Sequence, residues 1–240
     1  DALEEVKGIS SLANIFYTRQ NEPRGLGHAI SVAEPFVKNE AFAVMLGDNV
    51  MVSEKPATKQ LIEKYEEYGR SVIALMEVSD EDVEKYGIIS GEIIDDVYKV
   101  DGMVEKPKKE DAPSNLAIAG RYIITPEIFD ILRETKPGKN NEIQLTDALL
   151  ALSKVQSVYG YKYKGEIFDI GNKLGYLVAN VKFGLMQEDI RDDLEEFFVD
   201  LVAKDERLKK GVEAKIIKDI LKNKALGKEL REELDSYFRG

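Results

Sequence analysis

The sequence predicts an α/β protein with a C-terminal helical extension. Two observations carry that prediction. Apolar runs at Ala41–Leu46 and Ser71–Val78 have the length and continuity of strands covered on both faces, as in the middle of a parallel sheet. Helical spacing separates them at Ala57–Tyr68 and takes over from Asp189 onward. With 240 residues, the chain can form one large α/β domain or a domain with an appendage. We divide it into a main domain over 1–187 and a helical segment over 188–240.

Taken in order, residues 1–14 read as the tail of a helix and a loop. Ile15–Arg19 reads as a short strand, because β-branched and aromatic residues dominate it. Pro23, Gly25 and Gly27 make a loop, and Ala29-Ile30 starts a helix. The run Ala41–Leu46 stops at Gly47-Asp48-Asn49, either a plain turn or a carboxylate placed at the carboxyl end of a strand, where α/β sheets hold ligands. Pro56 and Gly69 bracket the Ala57–Tyr68 helix. Residues 88–104 read as a hairpin about Asp95-Asp96, and 116–124 as another strand. Thr125 and Pro126 form an N-cap and N1 pair for a helix to about Glu134. A loop over 137–141, a helix over 144–152 and strands at Ser157–Tyr163 and Glu166–Ile170 follow. Gly171-Asn172 opens a helix to about Leu185, and Leu194, Phe197, Phe198, Leu201 and Val202 give the next one a packing face. Charged helical segments are expected over 212–222 and 226–239.

Composition narrows the chemistry. The chain has no cysteine, which removes disulfides, Cys-ligated zinc and thiol nucleophiles and fits a cytoplasmic setting. Its single histidine, His28, leaves no room for a multi-His metal site and little for a Ser-His-Asp triad. A formal charge of −11 argues against a nucleic-acid surface, yet a phosphate site needs only local donors and a metal ion. No apolar run reaches the length of a membrane span. The glycine-rich loop at 25–29 can present backbone N–H groups to an anion or a base edge, or be a simple strand-to-helix turn.

Several stretches agree in order and spacing with one family. They are Arg19-Gln20, Gly25-Leu26-Gly27-His28-Ala29, Gly47-Asp48, Tyr86-Gly87, Val104-Glu105-Lys106-Pro107 and 113–122. Glu142-Ile143-Gln144-Leu145-Thr146-Asp147-Ala148 and Phe168-Asp169-Ile170-Gly171-Asn172-Lys173-Leu174-Gly175-Tyr176 complete the set. Together they resemble the bacterial-type UTP–glucose-1-phosphate uridylyltransferases, also called UDP-glucose pyrophosphorylases, over residues 15 to 185. The resemblance implies a Rossmann-like nucleotidyltransferase fold with a mixed, mostly parallel sheet. It implies UTP, glucose 1-phosphate and UDP-glucose as ligands, Mg²⁺ as cofactor, and a homo-oligomer. The sugar phosphate would attack the α-phosphorus of UTP in line, chemistry that needs positioning and charge neutralisation more than a protein nucleophile.

The resemblance also implies roles, each standing beside a plainer reading. Asp48 and Asp169, both at strand ends, would hold Mg²⁺ against phosphate oxygens, with a cap on the following helix as the plainer reading of Asp169. Lys106 would contact phosphate and Glu105 the sugar hydroxyls, or the two form a surface ion pair. Gln20 and Gly25 would face the uracil, with Gln20 as an exposed loop residue the alternative. Gly87 would let backbone approach the sugar, or serve a turn. Asn115 and Tyr122 are candidates for the sugar pocket, though Tyr122 could be core. His28 packs or caps near the base and has no proton-transfer role.

The chain departs from the family pattern in three places. Family members begin with a strand and a loop of the form Gly-x-Gly-Thr-Arg…Pro-x-Thr-Lys that grips the triphosphate, and no such segment is present. The expectation is therefore the C-terminal two-thirds of an enzyme, inactive alone. The loop reads Asn21-Glu22-Pro23-Arg24 where the family is richer in Gly and Lys, and the tail after about residue 205 passes the usual family end. A dTDP-glucose-type nucleotidyltransferase and a non-catalytic sugar-nucleotide-binding module are the alternative functions.

Overall fold

The computed structural model describes residues 12–212, with Glu4, Gly8 and Lys215 as isolated positions. The helix tail expected within 1–14 and the segments expected over 212–222 and 226–239 fall largely outside the described residues. The chain forms two compact units, Asp1–Gly171 and Asn172–Gly240, a division ahead of the sequence boundary at 187.

The first unit is built on helix α1 (Leu26–Val37), strands β1 (Phe42–Met45) and β2 (Asn49–Val52), helix α2 (Ala57–Tyr68) and strand β3 (Val72–Glu77). The hairpin β4 (Gly87–Ile94) and β5 (Val97–Glu105), strand β6 (Leu116–Ile124), helices α3 (Ile128–Glu134) and α4 (Leu145–Ser153), and strands β7 (Tyr159–Lys162) and β8 (Glu166–Asp169) follow. Six strands form one sheet in the order β1-β6-β3-β7-β5-β4, and β2 pairs with β8 apart from it. The β4–β5 hairpin folds back far enough for Ile88 to pair with Ala117 of β6.

Strand β3 is buried on both faces, as its apolar run requires. Ile73 and Leu75 join Ile89, Ile124, Ile128, Leu149 and Leu152 in one core cluster. Val72 and Ala74 alternate to the other face, with Leu61 of α2, Val97 and Ile123. Each large aliphatic side chain buried this way contributes about 2 kcal/mol. Pro56 and Gly69 bracket α2 as expected, with Gly69 in the left-handed region at φ 62° and donating to the Tyr65 carbonyl.

Four expectations are corrected. The sheet is mixed, but among the described residues only β3–β7 pairs parallel. Strand β6 runs antiparallel between β1 and β3, so those two strands share a direction without touching. Strand β1 lies at the sheet edge with alternate residues exposed, Met45 at 61%. Beside its one described neighbour, β6, the run is not covered on both faces: Phe42 and Val44 are partly buried, while Ala43 and Met45 are exposed. Ile15–Arg19 is not a strand, because β-propensity without a partner ladder makes none, and Ile15, Phe16 and Tyr17 are exposed. Thr125 does not cap α3, which starts at Ile128 after Glu127. Its buried hydroxyl is held instead by Ser71 Oγ at 3.2 Å and Gln156 Nε2 at 2.8 Å.

The second unit contains α5 (Lys173–Met186) and α6 (Arg191–Lys204). Asn172 caps α5, its Oδ1 accepting from Gly175 N at 2.8 Å, so the cap is not Asp169. Among the described residues no helix is long and apolar enough to cross a membrane.

Candidate active site

Two strand ends bring the key carboxylates together. After β1 the chain turns over Leu46–Asn49, with Asn49 N donating to Leu46 O at 3.3 Å. Strand β2 then pairs antiparallel with β8, setting Asn49 opposite Asp169. Ile170 N donates to Asp48 O at 2.8 Å, which fastens the two ends to each other. Asp169 Oδ1 accepts from Gly171 N at 2.9 Å. A Cβ on Gly171 would stand 3.0 Å from Asp48 Oδ2 and 3.1 Å from Asp169 Oδ1. The two carboxylates therefore flank one small space that stays open because residue 171 is glycine.

Arg121 braces this turn. Its Nη1 donates to Leu46 O at 3.1 Å and its Nη2 to Asn49 O at 2.9 Å, the two carbonyls that flank Gly47-Asp48. The planar guanidinium suits a two-point grip of this kind. On the neighbouring residue, Gly120 adopts φ +67°, and a Cβ there would overlap Asn49 Oδ1. Leu46 N also donates to Gly120 O at 3.1 Å. The β6 residues 120 and 121 thus fix the loop that carries Asp48.

The hairpin supplies the next group. Gly87 opens β4 opposite Glu105, the last residue of β5. Glu105 Oε2 accepts from Thr146 Oγ1 at 2.6 Å. Its side chain is 17% exposed and its Oε1 lies 3.9 Å from Lys106 Nζ, so Thr146 and not the lysine is its close partner. A Cβ on Gly87 would press on this pair, 3.1 Å from Thr146 Oγ1 and 3.2 Å from Glu105 Oε2. Lys106 takes the left-handed backbone, φ 46°, and its N–H donates to Tyr86 O at 3.0 Å.

Asp48, Asp169, Gly87, Glu105, Lys106 and Tyr122 line one cavity of about 290 Å³. Tyr122 is both core and lining: its phenol is pushed above its ordinary range by burial, then by the Glu105 and Asp48 charges. It therefore stays a neutral hydrogen-bond donor. Burial, then Asp169, pushes the Tyr86 phenol up in the same way. Arg121, Thr146, Tyr86, Glu142 and Gln144 have no role expected from the sequence, and all but Arg121 line this cavity. The signal was in view, since Glu142, Gln144 and Thr146 all belong to the 142–148 stretch.

Gln20, Gly25 and His28 form a second group. Gly25 precedes α1 at φ 97°, and a Cβ there would meet Ile143 O at 2.7 Å and Glu142 Cβ at 2.8 Å. Gly27 N donates to Ile143 O at 2.9 Å, and Ile143 N to Arg24 O at 2.8 Å. The loop is thereby tied to the segment that leads Glu142 and Gln144 into the cavity. Gln20 Nε2 lies 3.1 Å from Gly25 O and 2.8 Å from His28 Nδ1. Asn115 is not brought to the cavity: it borders a separate hollow with Asp80, Val83 and Lys109, and its carbonyl accepts from Val78 N.

The donor set at Asp48 and Asp169 suits a hard, oxygen-seeking cation. Among the described residues no group of three or more His, Cys, Asp or Glu side chains is placed to hold a metal. Magnesium does not need one, since it is held by one or two carboxylates with substrate phosphates and water completing its shell. The open space beside Gly171 fits that pattern.

Residues 2–184 match the nucleotidyl transferase family. The chain is 49% identical over 198 residues to the UTP–glucose-1-phosphate uridylyltransferase 2 of Staphylococcus saprophyticus, covering 82% of this chain and 68% of that protein. It is 48% identical over 202 residues to the UTP–glucose-1-phosphate uridylyltransferase of Staphylococcus epidermidis, covering 84% and 70%. A solved UDP-glucose pyrophosphorylase complexed with UDP-glucose is 46% identical, with a TM-score of 0.75 over 78% of this chain and 72% of that one. The UTP-bound UGPase from Acinetobacter baumannii is 31% identical, with a TM-score of 0.72 over 83% and 74%.

Proposed function

We infer the function from one premise: the chain belongs to the nucleotidyl transferase family, in its UTP–glucose-1-phosphate uridylyltransferase branch. It is a transferase that forms UDP-glucose and pyrophosphate from UTP and glucose 1-phosphate. In this reaction a phosphate oxygen of the sugar phosphate bonds to the α-phosphorus of UTP. The bond to the β-phosphate oxygen breaks, and pyrophosphate leaves with its electron pair. Such a transfer asks the protein to align three groups and to balance their charge.

The observation that carries the residue roles is the meeting of Asp48 and Asp169 with Glu105 and Lys106 in one cavity. In our reading Asp48 and Asp169 would hold Mg²⁺, which when bound would neutralise phosphate charge. Lys106 sets its ammonium against the phosphate oxygens, from a backbone that turns out of β5 in the left-handed region. Glu105, with one oxygen occupied by Thr146, offers the other to a sugar hydroxyl. Gly87 gives the sugar close approach to the β4 backbone, in the cavity that Tyr122 also lines. Gln20 and the Gly25 loop form the base end. Homo-oligomerisation and a cytoplasmic setting belong to the same proposal, resting on the resemblance and on the lack of cysteine.

Calorimetric titration of UDP and UDP-glucose into Glu105→Gln tests the polarity of the site. The amide is a weaker acceptor for sugar hydroxyls, so UDP-glucose affinity falls about tenfold while UDP is unaffected. Equal loss for both ligands would remove Glu105 from the sugar end.

A further inference from the structure

The base end contains a donor–acceptor arrangement with one consistent solution. Gln20 Nε2 lies within hydrogen-bond distance of both Gly25 O and His28 Nδ1, at 3.1 and 2.8 Å. A backbone carbonyl only accepts, so the amide nitrogen must face Gly25, because the opposite flip would set two acceptors against each other. The Gly25 carbonyl cannot turn away. It also accepts the first α1 bond, from Ala29 N at 3.1 Å, and its loop is pinned against Ile143. An amide nitrogen cannot accept, so His28 Nδ1 does, and the imidazole proton sits on Nε2. Both amide hydrogens are then used, and Gln20 Oε1 remains for another donor.

We propose that His28 is a positioning residue for base selectivity: by accepting from Gln20 it fixes that amide with its carbonyl toward the ligand. The inference rests on the reading of the Gln20 loop as the base end. A fixed acceptor takes a ring whose N3 carries a hydrogen, as in uracil or thymine. It rejects cytosine, whose N3 is itself an acceptor. Without the His28 bond either amide hydrogen can serve the Gly25 carbonyl, so the direction of the amide oxygen is no longer fixed and the two kinds of ring are less sharply told apart.

Titration of UDP-glucose and CDP-glucose, each with Mg²⁺, into the chain and into His28→Leu and Gln20→Met is the test. The unaltered chain prefers UDP-glucose, and His28→Leu lowers that preference about tenfold, as loss of one oriented hydrogen bond would. Gln20→Met lowers it at least as far. If Gln20→Met lowers the preference and His28→Leu, still folded by circular dichroism, keeps it, the role of His28 is overturned and the base end stands. If both variants keep it, the base-end reading falls and the inference with it. If the unaltered chain binds neither ligand, the reading of the whole site falls. A variant-free measurement guards against misfolding. His28 is the only histidine in the chain, so its ¹⁵N–¹H correlations give one imidazole pattern. A proton on Nε2 is expected, and a proton on Nδ1 overturns the proposal.

Discussion

Lys106 shows how single residues make this site. Its φ of 46° is a backbone conformation that costs an ordinary residue about 1 kcal/mol and that glycine adopts freely. If Lys106 faces the ligand as proposed, this strain has its reason in a side chain needed where the backbone is uncomfortable. Lys106→Gly should therefore leave stability in urea unchanged or raise it by about 1 kcal/mol. The same change should weaken UDP-glucose binding about tenfold, through loss of the ammonium near phosphate. A variant that binds as well as the parent would show that the lysine does not act on the ligand. Gly171 makes the complementary case. An added methyl would stand about 3 Å from both the Asp48 and Asp169 oxygens and would push them apart. Gly171→Ala should thus reduce the Mg²⁺-dependent part of UDP-glucose binding, read by titration, while leaving the melting temperature nearly unchanged.

At the scale of elements, the β2–β8 pair is what turns two distant aspartates into neighbours. That pairing was not legible in the sequence. Gly47-Asp48-Asn49 carries turn chemistry, and the short run after it, Val50-Met51-Val52, is too brief to announce a strand by periodicity. The elements that were legible, α2, β3, the β4–β5 hairpin and β6, are long or bracketed by Pro and Gly. Where local signals misled, a tertiary partner decided: Thr125 is drawn to Ser71 and Gln156, and Ile15–Arg19 lacks a neighbouring strand. The Arg121 grip on Leu46 and Asn49 belongs to this scale as well, since it makes the β1–β2 turn one piece with β6. Lysine cannot span two carbonyls as a planar fork does. Arg121→Lys is expected to lower Mg²⁺-dependent UDP-glucose affinity about tenfold, with a smaller effect on UDP-glucose without metal. Equal losses with and without Mg²⁺ would assign Arg121 to general stability and not to the Asp48 turn.

For the molecule as a whole, the proposed site is assembled from five remote stretches: the β1–β2 turn, the rim of the β4–β5 hairpin, the middle of β6, the start of α4 and the end of β8. Motifs 142–148 and 168–171 hold Glu142, Gln144, Leu145, Thr146 and Asp169 of the residues that line the cavity. The contacts that orient them, Thr146 on Glu105 and Arg121 behind Asp48, follow from strand order, which composition and periodicity do not carry. In the proposed function Asp48 and Asp169 form a metal-dependent grip on a sugar nucleotide. Calorimetric titration of UDP-glucose, with Mg²⁺ and with a chelator, into the chain and into Asp48→Asn tests it most directly. The expected result is binding that Mg²⁺ strengthens at least about tenfold in the parent chain and leaves unchanged in Asp48→Asn. Binding that ignores Mg²⁺ in the parent, or that gains as much from Mg²⁺ in Asp48→Asn, would contradict it.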